Sequence, residues 1–143
     1  MVHKHASEFL NSQVLRVLNI ESPFDGCNLG HVKSFGQLKY LRAGDQFVRV
    51  RKLPEGIEKL QHLETLDLRG GGLGNLPACI MLLQKLVRLF VHDSVHLPDG
   101  IRNLQTLEEL SRIDLDIQSV KFIQGLSDLT NLRILEIFWP YFT

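Results

Sequence analysis

Six times along the chain the sequence returns to LxxLxL or a variant of it, and no other feature restricts the fold so tightly. Five copies read Leu15-Arg-Val-Leu18-Asn-Ile20, Leu38-Lys-Tyr-Leu41-Arg-Ala43, Leu63-Glu-Thr-Leu66-Asp-Leu68, Leu86-Val-Arg-Leu89-Phe-Val91 and Leu132-Arg-Ile-Leu135-Glu-Ile137. A looser copy starts at Leu107-Glu-Glu-Leu110. The starts at 15, 38, 63, 86, 107 and 132 are 23, 25, 23, 21 and 25 residues apart. A self-similar period of this length means one supersecondary unit repeated along a solenoid.

Each repeat divides into two legs. In LxL, alternate side chains point to opposite faces of a strand, so Leu66 and Leu68 turn inward while Thr65, Asp67 and Arg69 turn outward. The return leg has apolar residues three apart: Ile57, Leu60, Leu63; Ile80, Leu83, Leu86; Ile101, Leu104, Leu107. That spacing predicts a short helical or 3₁₀ turn with one buried stripe. "LPEGIEKLQHL" (53–63) and "LPDGIRNLQTL" (97–107) are two copies of this leg, with seven of eleven positions identical. Each proline stands where a turn starts and no N–H is needed, and Glu55 and Asp99 follow it, favourably placed for a helix N-terminus. The leg is ten residues long at 53–63, 76–86, 97–107 and 122–132, with "FIQGL" replacing "LPEGI" in the last.

These features predict an α/β leucine-rich-repeat solenoid, an open horseshoe segment of about six repeats. A parallel sheet lines its concave side and short helical or 3₁₀ turns its convex side. A single domain is expected over 1–143, with 1–14 as an N-terminal cap or flank and the last repeat truncated. One coil cannot bury its own apolar stripe; stacked coils bury a continuous core, which explains 26 leucines in 143 residues. Two places break the pattern. The first return leg, "HVKSFGQL", is about three residues short, and Ile113 in "LSRIDLDIQSV" falls out of strand phase, which predicts a bulge or broken strand. Length variation collects after the strands, in "GDQFVRVRK", "RGGGLGN" and "HDSVH", on the rim where solenoids often bind.

Leg and strand phrases such as "LPEGIEKLQHLETLDLRG", "LPDGIRNLQTLEELSRI" and "LSDLTNLRILEIFW" resemble the leucine-rich-repeat region of plant nucleotide-binding leucine-rich-repeat disease resistance proteins, the grass coiled-coil members above all. The resemblance covers residues 12–139. It implies a cytoplasmic sensor in plant defence, one that recognises a pathogen effector or host protein, or docks on the receptor's own nucleotide-binding domain. No G-x-x-x-x-G-K-[ST] phosphate loop occurs, so no nucleotide cofactor is carried over. The alternatives are a non-immune scaffold joining two proteins, an enzyme subunit presenting a substrate, or a truncated receptor fragment without independent activity.

Other chemistry has little support. Formal charge is zero, with no pull on nucleic acid or an anionic membrane, and no apolar run approaches a membrane span. Cys79 stands where the sister legs have Gly56 and Gly100 and reads as a structural thiol, as does Cys27. His92 and His96 are four apart but lead into a loop, and Asp114 and Asp116 read as a solvated extended face. No nucleophile, base and orienting group come together, so no enzyme, metal site or cofactor is expected.

Protein binding therefore falls to the outward strand positions. One row is Val17, Tyr40, Thr65, Arg88, Glu109, Ile134; the next is Asn19, Arg42, Asp67, Phe90, Ser111, Glu136; a third holds Glu21, Gly44, Arg69, His92 and Phe138. The rows pair Arg42 with Asp67 and Arg88 with Glu109. Tyr40, Arg69, Phe90 and His92 are left without row partners, and aromatic and Arg residues dominate interfaces. Arg49 and Arg51 in "FVRVRK" read either as a solvated rim strand or as a patch for an acidic partner. Ile137, Phe138, Trp139, Tyr141 and Phe142 form an apolar end, which predicts self-association.

Overall fold

A computed structural model describes residues 14–21, 33–44, 52–53, 55–70 and 72–140. Six strands form one sheet in chain order, all parallel: β1 (Val17–Ile20), β2 (Tyr40–Ala43), β3 (Thr65–Asp67), β4 (Arg88–Phe90), β5 (Glu109–Ile113) and β6 (Ile134–Ile137). The register aligns equivalent repeat positions. Tyr40 stands opposite Thr65, Thr65 opposite Arg88, Arg88 opposite Glu109 and Glu109 opposite Ile134. Each strand starts two residues after the first leucine of its repeat. One carbonyl in each coil also receives two amides from the next: Lys39 and Tyr40 donate to Arg16, Glu64 and Thr65 to Lys39, and Val87 and Arg88 to Glu64.

The return legs are 3₁₀ turns at Lys33–Gln37, Ile57–Lys59, Ala78–Leu82 and Asp99–Asn103. Their three-residue spacing has a backbone cause. Leu60 N–H donates to Ile57 O and Leu63 N–H to Leu60 O, both at 3.0 Å, and the same chain of i→i−3 bonds runs through Ile80, Leu83 and Leu86 and through Ile101, Leu104 and Leu107. The residues bonded this way lie on one face, and that face is the core: Leu60, Leu83 and Leu104 are all buried. Pro77 and Pro98 are the residues just before their turns. In the leg at 57–59 this place falls to Gly56, whose φ of 80° suits a residue without Cβ.

The fourth ten-residue leg departs from the others. Without a Leu-Pro start, the chain forms helix α1 (Val120–Leu126), and the Ser119 hydroxyl caps it by accepting from Phe122 N–H at 3.0 Å. Phe122 fills the core, and Gly125 permits the close approach, since a Cβ there would lie 2.9 Å from Ile101 Cγ2.

Ile113 is out of phase as expected. The β5–β6 register shifts between Leu110 and Ile113, and Arg112 takes φ 61°. The extra residue brings Ile113 back into the core at 1% exposure. "LDI" after it does not continue as an extended face. Asp114 caps a 3₁₀ turn at Leu115–Ile117, accepting from Asp116 N–H at 2.9 Å.

A second, smaller parallel contact links the legs. Asn75 pairs with His96, with Leu76 N–H donating to His96 O and His96 N–H to Gly74 O, both at 2.9 Å. One coil further on, among the described residues, a side chain takes this role. The side-chain amide of Gln118 accepts from Leu97 N–H at 2.8 Å and donates to Val95 O at 2.9 Å. One carboxamide thus replaces a peptide unit of the ladder.

Candidate functional site

Phase and exposure agree on the outward face of the sheet. Val91 is fully buried beneath it, and Phe90 beside it is only half-buried. Asp67 and Thr65 also point outward, yet they are 1% and 7% exposed because the neighbouring rows cover them.

Asp67 is the centre of the face. Its Oδ1 accepts from Arg69 Nε at 2.9 Å and from Arg69 N–H at 3.2 Å; its Oδ2 accepts from Arg69 Nη2 at 2.7 Å and from the Tyr40 hydroxyl at 3.3 Å. The Arg69 guanidinium then lies over the Phe90 ring, 4.8 Å from its centroid. Three side chains expected to lack partners are therefore joined through a carboxylate that was expected to pair with Arg42. The reason is spacing. Asp67 and Arg69 are two apart on one chain and share a face, so the guanidinium can close a fork on the carboxylate. Arg42 is the register partner of Asp67 but makes no ion pair with it. Asp-x-Arg running from the end of a strand into its turn is the signal to read.

The electrostatics follow from this packing. Burial alone would push the Asp67 carboxyl up; the hydrogen bonds from the Arg69 side chain and backbone, the Arg69 charge and the Tyr40 hydroxyl outweigh it and hold the group below its ordinary range. Burial, with the Asp67 charge second, raises the Tyr40 phenol. The Asp67 hydrogen bond raises Arg69. The set is fixed as ionised Asp67 and Arg69 with a neutral Tyr40.

His92 belongs to a different group. Its Nδ1 lies 2.9 Å from Ser94 Oγ and 3.3 Å from Asp93 Oδ1, and Asp93 Oδ2 takes Arg112 Nη2 at 2.9 Å. The turn after β4 folds His92 onto its own neighbours, so it too has partners. Arg112 also lies over Phe138, 5.8 Å from the ring centroid. Arg88 meets Glu109 at 3.7 Å, as the rows implied. Arg49 and Arg51 lie outside the described residues.

His96 Nδ1 contacts Ile117 O at 2.9 Å, away from His92. Among the described residues no group of three or more His, Cys, Asp or Glu is placed to hold a metal ion. Cys79 is half-buried, and burial, then the Glu58 charge, raises its thiol, which disfavours the thiolate.

A parallel sheet on one side, 3₁₀ turns on the other and one leucine core between them define a leucine-rich-repeat solenoid, a scaffold that generally serves protein–protein interaction. The chain belongs to the leucine-rich repeat region family, whose model matches residues 2–142. It is similar to the disease resistance protein RGA5 of Oryza sativa subsp. japonica, 38% identical over 111 residues, covering 77% of this chain and 10% of that protein. It is also similar to the disease resistance protein RGA4 of the same organism, 35% identical over 115 residues, covering 70% of this chain and 11% of that one. The chain thus spans about a tenth of the length of these relatives. Among solved structures it resembles the Leptospira interrogans LRR protein LIC12759, with a TM-score of 0.68 at 23% identity, over 96% of this chain and 33% of that one, a likeness of fold.

Proposed function

We propose that the chain is a protein-recognition module of the plant immune-receptor type, acting in the cytoplasm in defence and working by binding rather than catalysis. Its partner on this reading is a pathogen effector, a host protein or a receptor nucleotide-binding domain. Tyr40, Arg69 and Phe90 on the concave face make the contact, with His92 at its border, and Arg49 and Arg51 of "FVRVRK" are added to the partner-binding set on the sequence pattern alone. The observation that carries the reading is the arrangement at β2–β4: a buried Asp67 at the end of β3 holds Arg69 of the following turn against Phe90, so that an aromatic ring and a cation are presented together. Similarity to disease resistance proteins supports the biological setting. No helix among the described residues is long and apolar enough to cross a membrane.

The test is a photo-crosslinking amino acid placed at position 90 or at exposed Leu82 on the convex side, in chains expressed in challenged rice tissue. A protein crosslinked from position 90 and absent from position 82 supports the reading. Equal capture from both positions, or none from either, contradicts it.

A further inference from the structure

Given a protein partner on the concave face, a reading on which this step rests, we propose that Arg69 is a pre-positioned anchor for an acidic side chain of that partner, with Arg42 as the second cation beside it. The argument begins with donors. A guanidinium carries five N–H groups. Nε and Nη2 are turned to Asp67, which uses one edge of the fork. The end between Nη1 and Nη2 keeps a parallel pair of N–H groups, the geometry that takes a carboxylate through two bonds.

Position comes next. An arginine normally loses much rotamer freedom when it is immobilised at an interface. Here the loss has occurred before binding, because Asp67 grips one edge and the Phe90 ring supports the plane. The gripping carboxylate lies beneath the guanidinium and does not confront the partner: the Asp67 side chain is 2% exposed and that of Arg69 55%.

The charges around the anchor differ in exposure. Arg42, Arg69 and Arg88 share the face with Asp67, Glu109 and Glu136, three cations against three anions, and the Glu136 charge reaches Arg69. Asp67 and Glu109 are covered, Glu109 at 22% side-chain exposure against 48% for Arg88, while Glu136 is exposed. Arg42 is exposed, directly opposite Asp67 in the β2–β3 register, and has no hydrogen-bond or ion-pair partner among the described residues. An approaching protein therefore meets arginine edges flanked by Tyr40 and Phe90. The complement is an Asp or Glu set among apolar side chains.

The experiment selects a displayed library of random twelve-residue peptides on the full chain, then measures soluble selected peptides by calorimetry. The expected peptides share an acidic residue next to an aromatic or aliphatic one. Replacing that acid by its amide should weaken binding about tenfold, and Arg69→Gln should cost the same factor without adding to the first loss. Arg69→Gln leaves Asp67 short of its main partner and can lower stability, so Arg42→Gln, an exposed change, provides a second arm and should weaken the same peptides about threefold. Peptides that bind without a shared acid but are lost on Phe90→Ala overturn the anchor and leave the recognition surface standing. Acidic peptides that bind both arginine variants at full strength overturn the anchor as well. A selection yielding no binder overturns both readings.

Discussion

Gln118→Ala is the change that most directly probes how the coils are held where the Leu-Pro phrase is missing. The Gln118 carboxamide accepts from Leu97 N–H at 2.8 Å and donates to Val95 O at 2.9 Å and Asp114 O at 3.1 Å. Leu97 itself is 5% exposed. Truncation removes three bonds at once. The two carbonyls lie beside a half-buried side chain that water can partly replace. The Leu97 amide has less access to water and carries most of the cost. An unpaired buried donor costs about 1–3 kcal/mol, so the variant should lose about 2 kcal/mol. Gln118→Glu separates the two roles. It keeps the acceptor for Leu97 but sets an ionised oxygen against Val95 O and Asp114 O, so this variant should be weaker at neutral pH and recover as acid protonates the new group. Urea unfolding gives the magnitude, and amide hydrogen exchange at Leu97 gives the location. A loss under about 0.5 kcal/mol, with Leu97 still protected, would refute the surrogate-peptide reasoning.

Leu83→Ala, deep in the middle return leg at 1% exposure, should cost about 2–5 kcal/mol in the same unfolding assay, as cavity-forming leucine truncations do. Asp67 has a depressed carboxyl pKa, so its contribution is complete above the unfolded-state value and is lost as pH falls through the lower folded value; Asp67→Asn should flatten stability against pH on the acid side. Ile134, Leu135, Ile137 and Trp139 are 47%, 38%, 41% and 57% exposed, and light scattering should show self-association that Ile134→Lys with Ile137→Lys reduces.

Much of this was legible in the sequence, for a physical reason. A parallel stack repeats one environment in each coil, so a position read correctly in one repeat is read correctly in all; the registers Tyr40–Thr65–Arg88–Glu109–Ile134 show this. The return turns were legible because 3₁₀ bonding and three-residue apolar spacing are the same constraint. The phase slip at Ile113 was visible, but not the positive φ at Arg112 that accomplishes it. Side-chain partnerships within a row were not legible. Arg42 and Arg69 are both within reach of Asp67, and only the geometry of a fork closed from two residues along the chain and backed by Phe90 decides between them. Gln118 left no pattern at all, since a side chain acting as backbone has no spacing to repeat. The replacement of "LPEGI" by "FIQGL" was the one sign that something else had to complete the ladder.

The central claim is that Phe90 faces a partner while Val91, the next residue, faces the core. Side by side, Phe90→Ala and Val91→Ala test it in one thermal melt paired with binding to the protein crosslinked from position 90. Val91 is fully buried, and its truncation should cost about 2 kcal/mol and lower the melting temperature. Phe90→Ala should melt close to the parent chain and weaken binding by about 1–3 kcal/mol. A Phe90→Ala chain that loses its fold while Val91→Ala keeps it, or one that binds the partner as tightly as the parent does, would contradict the account.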